Sequence, residues 1–191
     1  MSRQVLKDRE RALEYEFFHR VDEQLLEQLR EKLKSEERRE ALCKATGITD
    51  QAVLQELDDV GVSSETYLAF YLFPLVHVAW ADKKVEPQER DAILEEAESI
   101  GHSHDTESYH MLQRWLDREP GEEMFTAWKD YVHAMSDGVS VETYDALRRN
   151  VMEDARRVAK AAGGILGVHK ISGAESKVLE ELDEVFIGSA S

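Results

Sequence analysis

Apolar residues recur at every fourth position near the start of the chain. A spacing of four is typical of an amphipathic helix, and at 3.6 residues per turn the stripe drifts by about 40° at each step. The pattern therefore predicts one long helix over residues 6–34 with a winding apolar face. Such a face suits wrapping around a body or a partner better than a straight coiled-coil seam. The stripe consists of Leu13, Phe17, Val21, Leu25, Leu29 and Leu33.

A regular alternation of helix starts and glycines follows this stripe. Ser35, with two glutamates after it, indicates the start of a second helix that ends at Gly47. Thr49 is the expected cap of the next helix, which ends at Gly61. No stretch shows a sustained alternation of apolar and polar residues, so the sequence predicts an all-α fold.

The longest apolar run lies in residues 64–101 and is interrupted by Pro74. Proline lacks an N–H group and crowds the preceding turn, so it should kink or split the helix that the pattern predicts over residues 65–82. A short charged loop, 83–86, leads into a helix over residues 87–100. Further helices are predicted over residues 106–118, around 125–132, over 140–162 and over 173–187.

The charge is divided unevenly along the chain. Residues 1–47 hold 11 basic and 11 acidic side chains, so the whole net charge of −16 falls in residues 48–191. We therefore divide the chain into a charge-dense helical arm, 1–47, and an acidic helical domain, 48–191. An acidic domain repels phosphate backbones, which predicts cations or basic protein surfaces as partners and no nucleic acid.

Cysteine and apolar content indicate the compartment. Cys43 is the single cysteine, so no disulfide can form within the chain, as expected in a reducing cytoplasm. The apolar run 67–81 falls short of the roughly 20 residues that a membrane span requires. We expect a cytoplasmic protein with no membrane contact.

Two segments align when the chain is shifted by 86 residues. The stretch 84–93, KVEPQERDAI, matches 170–179, KISGAESKVL, with Glu89 over Glu175. Each stretch follows an apolar helix and opens another, which predicts a compact bundle with two pseudo-symmetric helical hairpins.

The segment WADKKVEPQERDAIL resembles the TerB-like domain family, named for the tellurite-resistance protein TerB, over about residues 64–187. The resemblance implies a compact all-α domain, a role in stress response, and a divalent cation held by clustered acids. The candidate ligands would be Asp82, Glu86 and Glu89. In this sequence Lys83 replaces the family's glycine, and the second copy lacks two of the acids.

The stretch 8–19, DRERALEYEFFH, resembles the opening of the zeta-type inhibitor of the bacterial F-type ATP synthase. The likeness covers only about a dozen charged residues of a kind common in helices, so it adds no site residue to the interpretation.

The acidic residues also have a structural interpretation. Glu89 and Glu175 each stand at the third position of a predicted helix, where a glutamate reaches back to a backbone N–H in a capping box. A hard cation would need six or more oxygens, of which Asp82 and Glu86 could supply two or three. Both interpretations remain open at this stage.

Histidines offer a different chemistry. His102, His104 and His110 form a dense nitrogen cluster of the kind that can hold zinc, although no HExxH or cysteine pair accompanies it. Solvated loop histidines are the alternative. His77 lies in the apolar run and is expected to be a core histidine with its hydrogen bonds satisfied.

These observations favour a non-enzymatic helical interaction or regulatory protein without a required cofactor. Its N-terminal helix would bind a protein partner or a second copy of the chain. The alternatives are a divalent-cation-binding stress protein that uses Asp82 and Glu86, and a metal-dependent enzyme that uses the histidine cluster.

Overall fold

The computed structural model describes residues 27–28, 30–101, 103–162 and 171–188. Within these residues the fold is all-α and contains no strand, which confirms the predicted fold class. Most of the N-terminal stripe, His102 and the loop 163–170 lie outside the described residues. The helices are α1 (residues 30–46), α2 (Gln51–Asp59), α3 (Tyr67–Tyr71), α4 (Phe73–Ala79), α5 (Pro87–Ser99), α6 (Glu107–Asp117), α7 (Glu122–Gly138), α8 (Val141–Ala162) and α9 (Gly173–Gly188).

The chain divides into two compact units between Glu40 and Ala41. The charge pattern places its own boundary at residue 47. In the described part of the first unit, Glu27 pairs with Arg30 at 3.4 Å and Glu31 pairs with Lys34 at 2.7 Å. All four side chains are mostly exposed, so these pairs add little to stability.

Helix α1 runs through Ser35, so the prediction that a new helix starts there is wrong. The hydroxyl of Ser35 accepts a hydrogen bond from the Arg39 guanidinium at 2.8 Å instead of capping the backbone. The neighbouring glutamates, lysines and arginines are strong helix formers, and no glycine or proline breaks the helix at this point. The predicted end at Gly47 is confirmed, because Gly47 has a φ of 77°.

The N-cap of α2 is Asp50, one residue later than the predicted cap Thr49. Asp50 has an extended backbone, and its Oδ1 accepts from the N–H of Ala52 at 2.8 Å and of Val53 at 3.3 Å. The side chain thus satisfies two of the N–H groups that a helix start leaves unpaired.

Pro74 splits the long apolar run as predicted. Helix α3 ends at Tyr71 and α4 begins at Phe73, so that Pro74 falls in the first turn of α4, where its missing N–H costs nothing. The N–H of Leu75 reaches back only three residues, to the carbonyl of Leu72 at 3.0 Å.

Helix α4 is the centre of the second unit. Six of its seven residues are buried, and it packs against α5, α6, α8 and α9 as well as α3. Helix α8 in turn packs against both α5 and α9. Helices α5 and α9 therefore both pack against α4 and α8, so their starts belong to the same bundle. Within the described residues, no helix combines the length and the apolar character that a membrane crossing requires.

Candidate functional site

The loop between α4 and α5 holds the predicted acidic residues. The carboxylate of Asp82 accepts from the backbone N–H of Lys84 at 3.2 Å. The Lys84 ammonium donates to Glu86 at 2.7 Å. Two of the three candidate cation ligands therefore already have partners within their own loop.

The backbone of this loop is left-handed at Lys83. Its φ is 68°, the only positive value outside glycine in the described part of the chain. Glycine adopts this left-handed conformation freely, whereas a residue with a Cβ is strained there. The ammonium of Lys83 also forms an exposed ion pair with Glu119, at 2.7 Å.

Glu89 has a structural role at the start of α5. Its Oε2 accepts from the backbone N–H of Glu86, the N-cap residue, at 2.8 Å. Glu175 does the same at the start of α9, where its Oε2 accepts from the N–H of Ser172. Ser172 returns the contact, because its Oγ accepts from the N–H of Glu175 at 3.1 Å. The structural interpretation of both glutamates is therefore supported by their contacts.

The two capping glutamates also lie close to each other inside the bundle. Glu89 is 2% exposed and Glu175 is 6% exposed, which is rare for glutamate. Burial raises the pKa of Glu89 to about 7, although the hydrogen bond from the Glu86 N–H opposes this shift. The neighbouring carboxyl of Glu175 and the charge of Asp82 raise the pKa further. Near neutral pH, Glu89 is therefore divided between its protonated and ionised forms.

The proximity of Asp82 to this pair is the feature that a cation site would use. However, no three histidine, cysteine, aspartate or glutamate side chains in the described ranges form a group that could hold a metal ion. Asp82, Glu86 and Glu89 thus line one loop and helix start, each with a hydrogen bond or ion pair of its own.

Of the histidine cluster, His104 and His110 can be described. The ring of His104 stacks on Tyr109 with centroids 4.5 Å apart, and its Nε2 lies 2.7 Å from a carboxylate oxygen of Glu98. His110 is exposed on α6. His104 is therefore held by an aromatic ring and a carboxylate on the surface.

His77 differs from its prediction. Its Nε2 is buried and has no hydrogen-bond partner among the described residues. The prediction of a satisfied core histidine is wrong, because the carboxylate oxygen of Glu181 lies 3.9 Å from Nε2, beyond hydrogen-bond distance. The helical spacing of the sequence placed His77 on an apolar face but could not show which groups would face its ring.

Sequence reasoning also missed the contact between Glu89 and Glu175. The signal was present in the alignment of the two segments, which put these residues at equivalent positions. Comparison of the chain with protein-family models, with curated proteins and with solved structures finds no match.

Proposed function

We propose that this chain is a non-enzymatic helical interaction protein of the cytoplasm. Its N-terminal helical segment would bind a protein partner or a second copy of the chain. The observation that carries the proposal is Leu33, the last member of the apolar stripe, which is 58% exposed on α1. Its exposure agrees with the apolar stripe that the sequence predicts for this helix, and amphipathic helices of this kind bind partners through their apolar face.

The charges of the arm support the same proposal. Glu31 and Lys34 pair with each other, as do Glu27 and Arg30, so these charges are balanced within the helix. Such balanced charge allows two helices to approach without the repulsion that an acidic surface would impose. The TerB-like resemblance adds the proposal that the interaction serves a stress response.

Deletion of residues 1–34 tests the proposal. Size-exclusion chromatography with light scattering and a pull-down should show that the truncated chain loses a partner or its self-association. If both the assembly state and the bound partners are unchanged, the arm is not the interaction element.

Cation binding is a second candidate, favoured by the buried carboxyls of Glu89 and Glu175 beside Asp82. A divalent cation would relieve the repulsion between these like charges. Calorimetry with calcium, magnesium, manganese and zinc should then give heat that Asp82→Ala abolishes. Flat titrations for all four ions, or identical heats in Asp82→Ala, would exclude this candidate.

A further inference from the structure

A cavity of about 360 Å³ opens beside α4, on the side of His77. Its wall contains the rings of Phe73, Trp80 and Phe125, and its rim contains charged side chains of α7, α9 and the adjoining loops. Ligand sites in proteins usually occupy about 300–1,000 Å³ and combine aromatic walls with a few polar groups. This cavity has both the size and the lining of such a site.

The aromatic wall already holds a cation. The Lys129 ammonium lies over the Phe125 ring, 5.0 Å from its centroid. The His77 ring stacks on Phe125 with centroids 4.3 Å apart, so it covers one face of the Phe125 ring. Because an aromatic face attracts ammonium and guanidinium groups, this wall favours a positively charged ligand.

The Glu181 carboxylate is an accessible acceptor at the rim of the cavity, with its side chain 53% exposed. The Nε2 of His77 has no hydrogen-bond partner among the described residues, and the Glu181 carboxylate lies 3.9 Å from it. Burial lowers the pKa of His77 to about 4, with Glu119 opposing and Lys83 favouring the shift. The ring is therefore neutral at pH 7 and does not repel a cation. An N–H donor of a cationic ligand would instead meet the accessible carboxylate of Glu181.

The charge around the cavity points in the same direction. Three carboxylates line it, those of Glu119, Glu122 and Glu181, against the two ammonium groups of Lys83 and Lys129. Glu119 is paired with Lys83 at 2.7 Å, whereas Glu122 is exposed at the start of α7. The chain as a whole carries −16, so its field attracts cations toward this rim.

We propose that this cavity binds a primary alkylammonium or guanidinium group. The charged head would lie against the carboxylate of Glu181, and the alkyl part would lie against the aromatic wall at Phe125 and Trp80. Such a head belongs either to a free amine or to a lysine or arginine side chain of a partner. This site is separate from the N-terminal segment and goes beyond the interaction proposed for it.

Butylamine and butan-1-ol test the proposal on the full chain, because they differ in charge and hardly in shape. The shift of the Trp80 indole N–H in an NMR titration reports binding. Butylammonium should saturate with a dissociation constant in the low millimolar range, about 1–10 mM, whereas butan-1-ol should cause no saturable shift in that range. Equal shifts from the two probes would overturn the proposal.

Changes at the exposed Glu181 and the half-buried Lys129 keep the test independent of folding, because neither side chain belongs to the buried core. Glu181→Gln should weaken butylammonium binding about threefold or more, because it removes the carboxylate that meets the head. Lys129→Met should strengthen it about threefold, because a positive charge that repels the ligand leaves the cavity rim. Glu184→Gln removes the same charge from an exposed position on the same helix, outside the cavity, and should leave the butylammonium affinity unchanged. Equal affinities in Glu181→Gln and Glu184→Gln would contradict the proposed site.

A blocked Ala-Lys-Ala peptide separates the two sources of the ammonium group. Binding at least about tenfold tighter than butylamine would assign the cavity to a side chain of a partner. Equal or weaker binding than butylamine would assign it to a free amine.

Discussion

Glu89 combines a capping bond with burial beside a second carboxyl, and this combination gives it an unusual dependence on pH. Burial and the neighbouring acids raise its pKa in the folded chain from 4.5 to about 7. Between these two values the folded chain keeps a proton that the unfolded chain releases. The stability due to Glu89 is therefore full below about pH 4.5 and is lost as the pH rises to about 7.

Glu89→Gln should remove this dependence. At about 1.4 kcal/mol per pKa unit, the natural chain should lose about 3 kcal/mol between pH 4.5 and 7.5 that the variant retains. The glutamine oxygen can still accept from the Glu86 N–H, so the helix start should be preserved. Urea unfolding of both chains across this range measures the difference.

Glu95→Gln is the control for this measurement, since Glu95 is an exposed glutamate on the same helix. It should follow the natural chain at every pH. An unfolding free energy whose pH dependence is the same in Glu89→Gln and in the natural chain would contradict the buried carboxyl pair.

Lys83 and Lys84 form a matched pair for measuring backbone strain. Both side chains are exposed and each forms one ion pair of 2.7 Å, but only Lys83 has a positive φ. Replacement by glycine frees the unfolded chain equally in both cases. Lys83→Gly should therefore be more stable than Lys84→Gly by about 1 kcal/mol or more, the strain that glycine removes. Equal stabilities in thermal unfolding would show that Lys83 is not strained.

At this scale the sequence predicted roles better than contacts. The capping role of Glu89 follows from its position three residues after Glu86, which is a local property. Its contact with Glu175 depends on how α5 and α9 pack on their neighbours, and no spacing along the chain contains that information. The unpaired nitrogen of His77 is a property of packing in the same sense.

Among the elements, α2 shows what a cap contributes. Asp50→Ala should cost about 1 kcal/mol, because two backbone N–H groups lose their acceptor. Thr49→Ala, at the position that the sequence favoured, should be close to neutral. Chemical denaturation of the two variants decides between the caps. The opposite order would mean that Thr49 holds the start of the helix.

The elements were largely predictable because their signals are local. The split at Pro74 and the stop at Gly47 follow from the covalent chemistry of proline and glycine. The two errors, at Ser35 and Thr49, concern side chains that can cap a helix but do not have to. The Ser35 hydroxyl accepts a hydrogen bond from Arg39, and Asp50 caps α2 in place of Thr49. A single sequence does not show which of several possible capping side chains will be used.

On the scale of the whole molecule, the all-α class follows from the pattern, while the arrangement around α4 does not. The run 67–81 is apolar on every face of a helix, which predicts burial on all sides and agrees with the central position of α4. Which helices surround it depends on tertiary packing. The pseudo-symmetry of the two hairpins stays a prediction.

The central claim is that the N-terminal apolar stripe is an interaction surface. Light scattering of the full chain after size exclusion tests it with Leu29→Ser/Leu33→Ser against Gln24→Ser/Gln28→Ser, a neutral pair away from the stripe. The natural chain and the Gln24→Ser/Gln28→Ser variant should have a mass above the 21.9 kDa of one chain, because each binds a second copy or a partner. The Leu29→Ser/Leu33→Ser variant should have the mass of one chain, 21.9 kDa. A leucine variant with the same mass as the natural chain would contradict the account.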